Sequence, residues 1–372
     1  MKKTKVTPWE VEGEIDYGKL IQEFGVSKID DNLLARIKKH TKELHLMLRR
    51  GIFFAHRDLK WLLDEYEKGN KFFLYTGRSP SGPIHIGHLT PWIFTKWLQD
   101  KFGVELYFQF PDDEKFLFKK NLEYDEVQKW LHENMLDIIA LGFDPKKTHF
   151  LVDTKHASLL YPEAIKVAKK ITFSTVKAAF GFNESQNIGE IFYTSMQAAP
   201  VMLPGTLKKN KKIPCLIPLA VDQDPHFRVA RDVYPKLGFP KPAIIHSVFL
   251  PSLTGPQGKM SSSESSRAIL TTDSPKEVER KIKRYAFSGG QETLEEHRKK
   301  GGNPDIDVSF QYLRFLFEED DAKLQRIYDD YSSGKMTTGE LKNYLIEKIN
   351  AFLKEHQKKR KEAKKKIDKF LL

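Results

Sequence analysis

Pro80-Ser81-Gly82-Pro83-Ile84-His85-Ile86-Gly87-His88 is the stretch of this chain best suited to chemistry. A strand-like run, Phe72-Phe73-Leu74-Tyr75-Thr76, precedes it, and a helix-like run from Pro91 to Leu98 follows. A strand, a tight Gly/Pro turn and a helix start make an anion site. The first helical N–H groups have no partner inside the helix, and the helix dipole favours negative charge there. Two histidines add donors suited to a triphosphate, and Gly87 lets a base or ribose approach the backbone. Far downstream, Lys259-Met260-Ser261-Ser262-Ser263 lies in a loop with Gly255 and Gly258. One lysine on such a loop suits a closing clamp on a pyrophosphate leaving group. Arg78, in Gly77-Arg78-Ser79-Pro80-Ser81-Gly82, can also meet a phosphate, although the stretch is neither a Walker A loop nor a dinucleotide fingerprint.

The elements that must carry these residues are read from pattern. Strands are expected at 72–76, 104–110, 148–152, 214–221 and 243–250, and helices at 88–101, 124–141, 158–170 and 224–237. Such alternation predicts an α/β fold, a Rossmann-like parallel sheet covered by helices. Gly103, Gly142 and Gly238 stand where three of the helices should stop. Polar residues then gather at the carboxyl ends of the strands, where open α/β sheets bind ligands. They are Tyr75 and Arg78; Gln109, Asp112, Asp113 and Glu114; Asp222, Gln223 and Asp224; and Lys259.

Three regions follow. Residues 1–70 form an N-terminal extension packing on the catalytic domain, 71–270 the Rossmann-like domain, and 271–372 a helical domain. In the extension, the stretch Gly51 to Asp58 breaks a helical pattern, with Asp58 as N-cap of the next helix and His56 structural. Asp273-Ser274-Pro275 opens the helical region, and the basic run from Glu355 to Lys366 reads as a solvated helix face.

One cysteine, Cys215, excludes an internal disulfide and any multi-cysteine zinc or iron–sulfur site. His132-Glu133-Asn134 is not a zinc motif, and no metal ligand set is read. The net charge of +12 is compatible with a polyanionic partner. Neither a signal-peptide core nor an apolar run of about 18 residues occurs, so the cytoplasm is expected and a membrane is not.

The two motifs, in this order, resemble the signatures of class I aminoacyl-tRNA synthetases. Further segments resemble the tryptophanyl-tRNA synthetases of archaeal and eukaryotic type. These are Leu74-Tyr75-Thr76-Gly77-Arg78, Pro111-Asp112-Asp113-Glu114-Lys115, Met196-Gln197-Ala198-Ala199-Pro200, Val221 to Arg228, and Ala286 to Gly290. The resemblance implies activation of tryptophan with ATP and Mg²⁺, transfer to tRNA(Trp), and a homodimer. It implies that Tyr75, Gln109, Glu114, Gln197 and Gln223 line the tryptophan pocket. His85 and His88, with Lys259, would be catalytic, and Arg78, Gly87, Lys115, Met260 and Ser261 would join them around ATP. Residues 271–372 would read the anticodon, with Arg284, Tyr285 and Phe287 as contact candidates, and Pro8 to Gly13 would form a flap over the ATP side.

Tyrosyl-tRNA synthetases share both class motifs, but Gln109, Glu114 and the 196–200 segment argue for tryptophan. A small-molecule adenylyltransferase is disfavoured by the long helical C-terminal region. A non-catalytic RNA-binding relative is opposed by intact His85, His88, Lys259 and Glu114.

Overall fold

The computed structural model describes residues 25–255 and 267–372, apart from the Pro225 side chain, together with Ile21 and the backbone of 5–6, 11–12 and 256–259. Strands β1 (Lys5–Val6) and β2 (Val11–Glu12) form an antiparallel pair. The main sheet contains β3 (Ser27–Lys28), β4 (Phe53–Arg57), β5 (Phe73–Gly77), β6 (Leu106–Phe110), β7 (Thr148–Val152), β8 (Cys215–Ala220) and β9 (Ala243–Ser247). Its order is β3-β4-β9-β8-β5-β6-β7. The five strands β5 to β9 are parallel, as their patterns predict. The chain runs outward from β5 through β6 to β7, then returns to the other side of β5 for β8 and β9. That reversal opens a crevice between the carboxyl ends of β5 and β8.

The sheet is mixed rather than wholly parallel. Gly51 to Asp58, expected only to interrupt helices, contains β4, which runs antiparallel to β9. Ile52, Phe53 and Ala55 are buried there, and β4 and β3 carry the N-terminal region into the sheet instead of merely packing it alongside. Asp58 does not cap the following helix, Leu59–Glu67, with its side chain. Its carboxylate pairs with Arg231, 2.5 Å away, while the Leu59 N–H donates to Nδ1 of the buried His56. Three helices between β7 and β8, Phe173–Phe180, Ile188–Met196 and Ala199–Leu207, escape the sequence pattern. Gly103, Gly142 and Gly238 all take positive φ at helix ends, as expected.

The C-terminal helices share a core with the sheet. Helix Tyr124–Ala140 packs on the long helix Thr338–Ala363. The basic run is therefore only partly a solvated face. Lys358, Lys359 and Lys361 are exposed, but His356 is buried with Nε2 2.9 Å from Asp137 Oδ1. Arg360 bonds Asp137 at 3.1 Å and also pairs with Glu133. The last residues cover the open edge of β7, with the Phe150 N–H donating to the Phe370 carbonyl at 2.6 Å.

One buried carboxylate ties the sheet to the helix after β8. Asp224 begins helix Asp224–Val233 and is fully buried. It accepts from Arg57 Nε and Nη2 at 2.9 and 3.0 Å and lies 2.8 Å from His246 Nε2. Burial alone would raise its pKa, but these bonds hold it far below the usual carboxylate range. A depressed carboxyl stabilises the fold above its unfolded pKa of about 3.9, and that contribution fades as pH falls further. Asp224→Asn should lower the unfolding free energy at neutral pH by about 3–5 kcal/mol, read by denaturant titration.

Candidate active site

A cavity of about 680 Å³ occupies the crevice between β5 and β8. Ten of the thirteen residues expected to hold tryptophan or ATP line it: Tyr75, Arg78, His85, Gly87, His88, Gln109, Glu114, Lys115, Gln197 and Gln223. Lys259 ends β11 (Gly255–Lys259), whose partner is β10 (Pro251–Ser252). Its backbone lies opposite Pro251, next to the cavity-lining Leu250. The Lys259 side chain, Met260 and Ser261 lie outside the described residues, as do Pro8, Trp9, Glu10 and Gly13 of the expected flap.

The two motifs meet through the backbone. The Ile86 N–H donates to the Ile269 carbonyl and the Thr271 N–H to the Ile84 carbonyl, both at 3.0 Å. The segment leaving the lysine loop is thus pinned to the histidine loop. On its entering side, β2 lies against β11.

One end of the cavity is a continuous polar chain. The Tyr75 hydroxyl donates to Gln109 Oε1 and accepts from Gln197 Nε2 at 3.1 Å. Gln109 Nε2 donates to both oxygens of Asp153, at 2.9 and 2.8 Å. The Tyr193 hydroxyl bonds Gln197 Oε1 and lies 3.3 Å from Glu114 Oε2, while Lys115 Nζ sits 2.6 Å from Glu114 Oε1. Burial would push the Glu114 carboxyl up, but Lys115 outweighs it and the net shift is down. Burial pushes the Tyr75 and Tyr193 hydroxyls well above the phenol range, so both stay protonated donors. His226 is driven down to about 4 by burial and is neutral at pH 7.

The other end carries the cations and the imidazoles. Helix Ile86–Phe102 begins just after His85, whose N–H donates to His88 Nδ1 at 3.2 Å. The two rings stack with centroids 3.5 Å apart, and His88 stacks on Trp92 at 6.0 Å. Gly77 is required by close approach, since a Cβ there would stand 2.9 Å from the Gln109 carbonyl oxygen. Arg78 follows, with Nε donating to Asn134 Oδ1 at 3.2 Å and Nη2 without a partner among the described residues. Burial lowers its pKa to about 10, which leaves it charged at neutral pH.

A family model for class I tRNA synthetases (W and Y) matches residues 67–354. The tryptophan–tRNA ligase of Sulfurisphaera tokodaii is 56% identical over 98% of this chain and 94% of its own length. The chain belongs to the tryptophan–tRNA ligase family. Solved relatives agree along nearly their whole length. The tryptophanyl-tRNA synthetase from Giardia lamblia has a TM-score of 0.90 at 40% identity, covering 96% of both chains. That of Encephalitozoon cuniculi, bound to tryptophan, has a TM-score of 0.88 at 36% identity and covers 96% of this chain and 98% of its own.

Sequence reasoning passed over four residues that shape this ligase cavity: Asn134, Asp153, Tyr193 and His226. Tyr193 lies four residues before Gln197, a spacing that puts both on one helix face. Asp153 directly follows β7, at the edge already marked by the other polar groups. His226 stands inside the quoted Val221 to Arg228 segment. Asn134 carried no signal, because a buried amide inside a helix reads like any exposed one. Asp112 is in contrast structural, accepting from Gln128, Tyr124 and Thr154. Phe287 lies against Gly255 at the β10–β11 turn, and its N–H donates to the Leu253 carbonyl at 2.7 Å. Phe287 and Arg284 are both exposed.

Asn134 also donates to the Gly82 carbonyl at 3.0 Å, so one side chain fixes both Arg78 and the loop before the histidines. Asn134→Ala should raise KM for ATP about tenfold, equivalent to about 1.4 kcal/mol. KM for tryptophan should stay within about twofold in the same pyrophosphate-exchange assay.

Proposed function

We propose that this chain joins tryptophan to tRNA(Trp) in two steps and that the cavity divides between the two small substrates. The observation carrying this reading is the Tyr75–Gln109–Gln197 cluster beside the His85–His88 loop. An indole offers an apolar body and one N–H, and the Gln109 Oε1 and Tyr75 oxygen are acceptors at the cavity's deep end. Glu114 takes the substrate ammonium, with Gln197 and Gln223 orienting the amino and carboxyl groups. The unpartnered Arg78 Nη2, the histidines, Lys115 and the loop carrying Lys259, Met260 and Ser261 receive the triphosphate, with adenosine against Gly87.

In the first step a tryptophan carboxylate oxygen bonds to the α-phosphorus of ATP, and the α–β phosphoanhydride bond breaks to release pyrophosphate. In the second, a terminal ribose hydroxyl of tRNA attacks the acyl carbon, and AMP departs. The protein's contribution is positioning and cancellation of charge that builds on the phosphate oxygens. Mg²⁺ would accompany ATP. Among the described residues no group of three or more His, Cys, Asp or Glu side chains could hold a metal ion.

A homodimer is supported by an apolar face on two adjacent helices. Tyr161 and Ile165 lie one turn apart on helix Ala157–Ala168, and Ile188 and Phe192 one turn apart on helix Ile188–Met196. Tyr161 is 53% and Ile188 85% exposed, and the Tyr161 and Phe192 rings meet at 6.0 Å. No helix among the described residues is long and apolar enough to cross a membrane, and the cytoplasm is the compartment where charging would serve translation.

Exchange of labelled pyrophosphate into ATP should occur with tryptophan alone among the twenty amino acids. Exchange with tyrosine would overturn the specificity. Gln109→Ala should raise KM for tryptophan at least tenfold with ATP binding nearly unchanged, since a buried acceptor for the N–H is lost. His88→Ala should slow adenylate formation by about a hundredfold while barely changing tryptophan affinity, as expected for a group acting on the reacting phosphate. Single-turnover quench measurements separate these two effects.

A further inference from the structure

The Gln109 amide has two ends of nearly equal shape and opposite hydrogen-bonding sense. Only one end suits a substrate N–H. If Nε2 faced the cavity, donor would meet donor, and Oε1 would meet the Asp153 carboxyl. The orientation observed is the reverse, with Nε2 donating to both Asp153 oxygens and Oε1 on the Tyr75 side. Gln109 is fully buried and Asp153 only 1% exposed, so no bulk water can substitute for either partner. Nothing in the cavity itself forces this choice, because the Tyr75 hydroxyl can donate or accept. The carboxyl behind the glutamine does force it.

We propose that Asp153 is a positioning residue that locks the Gln109 amide with its oxygen toward the cavity, and so makes the pocket select an amino acid bearing a side-chain N–H donor. This rests on the reading of the cavity as the tryptophan site. Asp153 does not touch the substrate and acts through Gln109. Its charged neighbours are Asp113 and Asp112. Burial and repulsion from Asp113 and Asp112 push Asp153 well above the carboxylate range, while burial and repulsion from Asp112 push Asp113 up to about 7. Nε2 lies within hydrogen-bond distance of both Asp153 oxygens, and a carboxyl keeps at least one bare oxygen, so an acceptor faces the amide in either protonation state.

The test uses the full-length protein and compares tryptophan with 3-benzothienylalanine, in which sulfur replaces the indole N–H. The ratio of kcat/KM values for the two is read by pyrophosphate exchange, with KM for ATP alongside. Asp153→Asn keeps the shape but lets both amides turn over together. It should lower the ratio at least tenfold, with KM for ATP within about twofold. In a Gln109→Ala background the same change should leave the ratio unmoved, because the group it orients is gone. The exchanged pair, Gln109→Glu with Asp153→Asn, restores an accepting oxygen to the cavity and a donating amide behind it. It should recover the preference that Asp153→Asn loses, which also separates the role from a folding defect.

An unchanged ratio in Asp153→Asn would overturn the proposal. So would equal losses with and without Gln109, or a parallel rise in both KM values. Failure of the unaltered protein to activate tryptophan would instead refute the reading of the site itself.

Discussion

A buried hydrogen-bond chain with an acidic group at each end constrains the half of the cavity proposed to hold the amino acid. Asp153 terminates one end and Glu114 the other. Between them run Gln109, Tyr75, Gln197 and Tyr193, each buried or nearly so. Carboxylates accept only, amides offer one of each kind, and each hydroxyl has a single proton. With Asp153 accepting at its end, the bonds run in one direction through Gln109, Tyr75 and Gln197, and the single Tyr193 proton goes to Gln197 Oε1. The result is a pocket whose polarity is set before any ligand arrives. Preorganisation of this kind lowers the ordering cost of binding, and an analogue lacking the matching donor leaves a buried group unpaired.

The sheet supplies the geometry for that chain. Tyr75 and Gln109 sit near the carboxyl ends of neighbouring parallel strands, with Gly77 opposite Gln109 in register. A side chain in place of Gly77 would push β5 and β6 apart at the point where the tyrosine and the glutamine must meet. The same strand end then delivers Arg78 to the proposed phosphate site. One pair of strands thus carries residues of both proposed subsites, which cannot move independently of each other.

Much of this was legible in the residues. The five parallel strands, the crevice and the gathering of Tyr75, Gln109, Glu114 and Gln223 at one edge follow from alternation and from where polar residues interrupt apolar runs. β4 was not legible, because Phe53 to Arg57 mixes apolar and charged residues, and its identity as a strand depends on pairing with the distant β9. The inward turn of His356 and Arg360 was hidden for the same kind of reason. Their partners Asp137 and Glu133 lie more than two hundred positions away, and a basic run carries no mark of which members face another helix. The role of Asp153 needed a direction of bonding, and residue type alone supplies none.

Helix Tyr124–Ala140 joins these themes. Asn134 and Asp137 lie one turn apart on it. Asn134 holds Arg78 and the Gly82 carbonyl, while Asp137 receives His356 and Arg360 from the long C-terminal helix. All four contacts are wholly or partly buried and carry at least one polar or charged partner, so breaking any one leaves a desolvated group behind. A rigid helix fixed at neighbouring turns to two different regions cannot shift against one without straining the other. The C-terminal helices are therefore not a separate appendage. Their long helix is one bonded step from the helix that sets the phosphate loop, and a displacement there would reach Arg78 through a single turn.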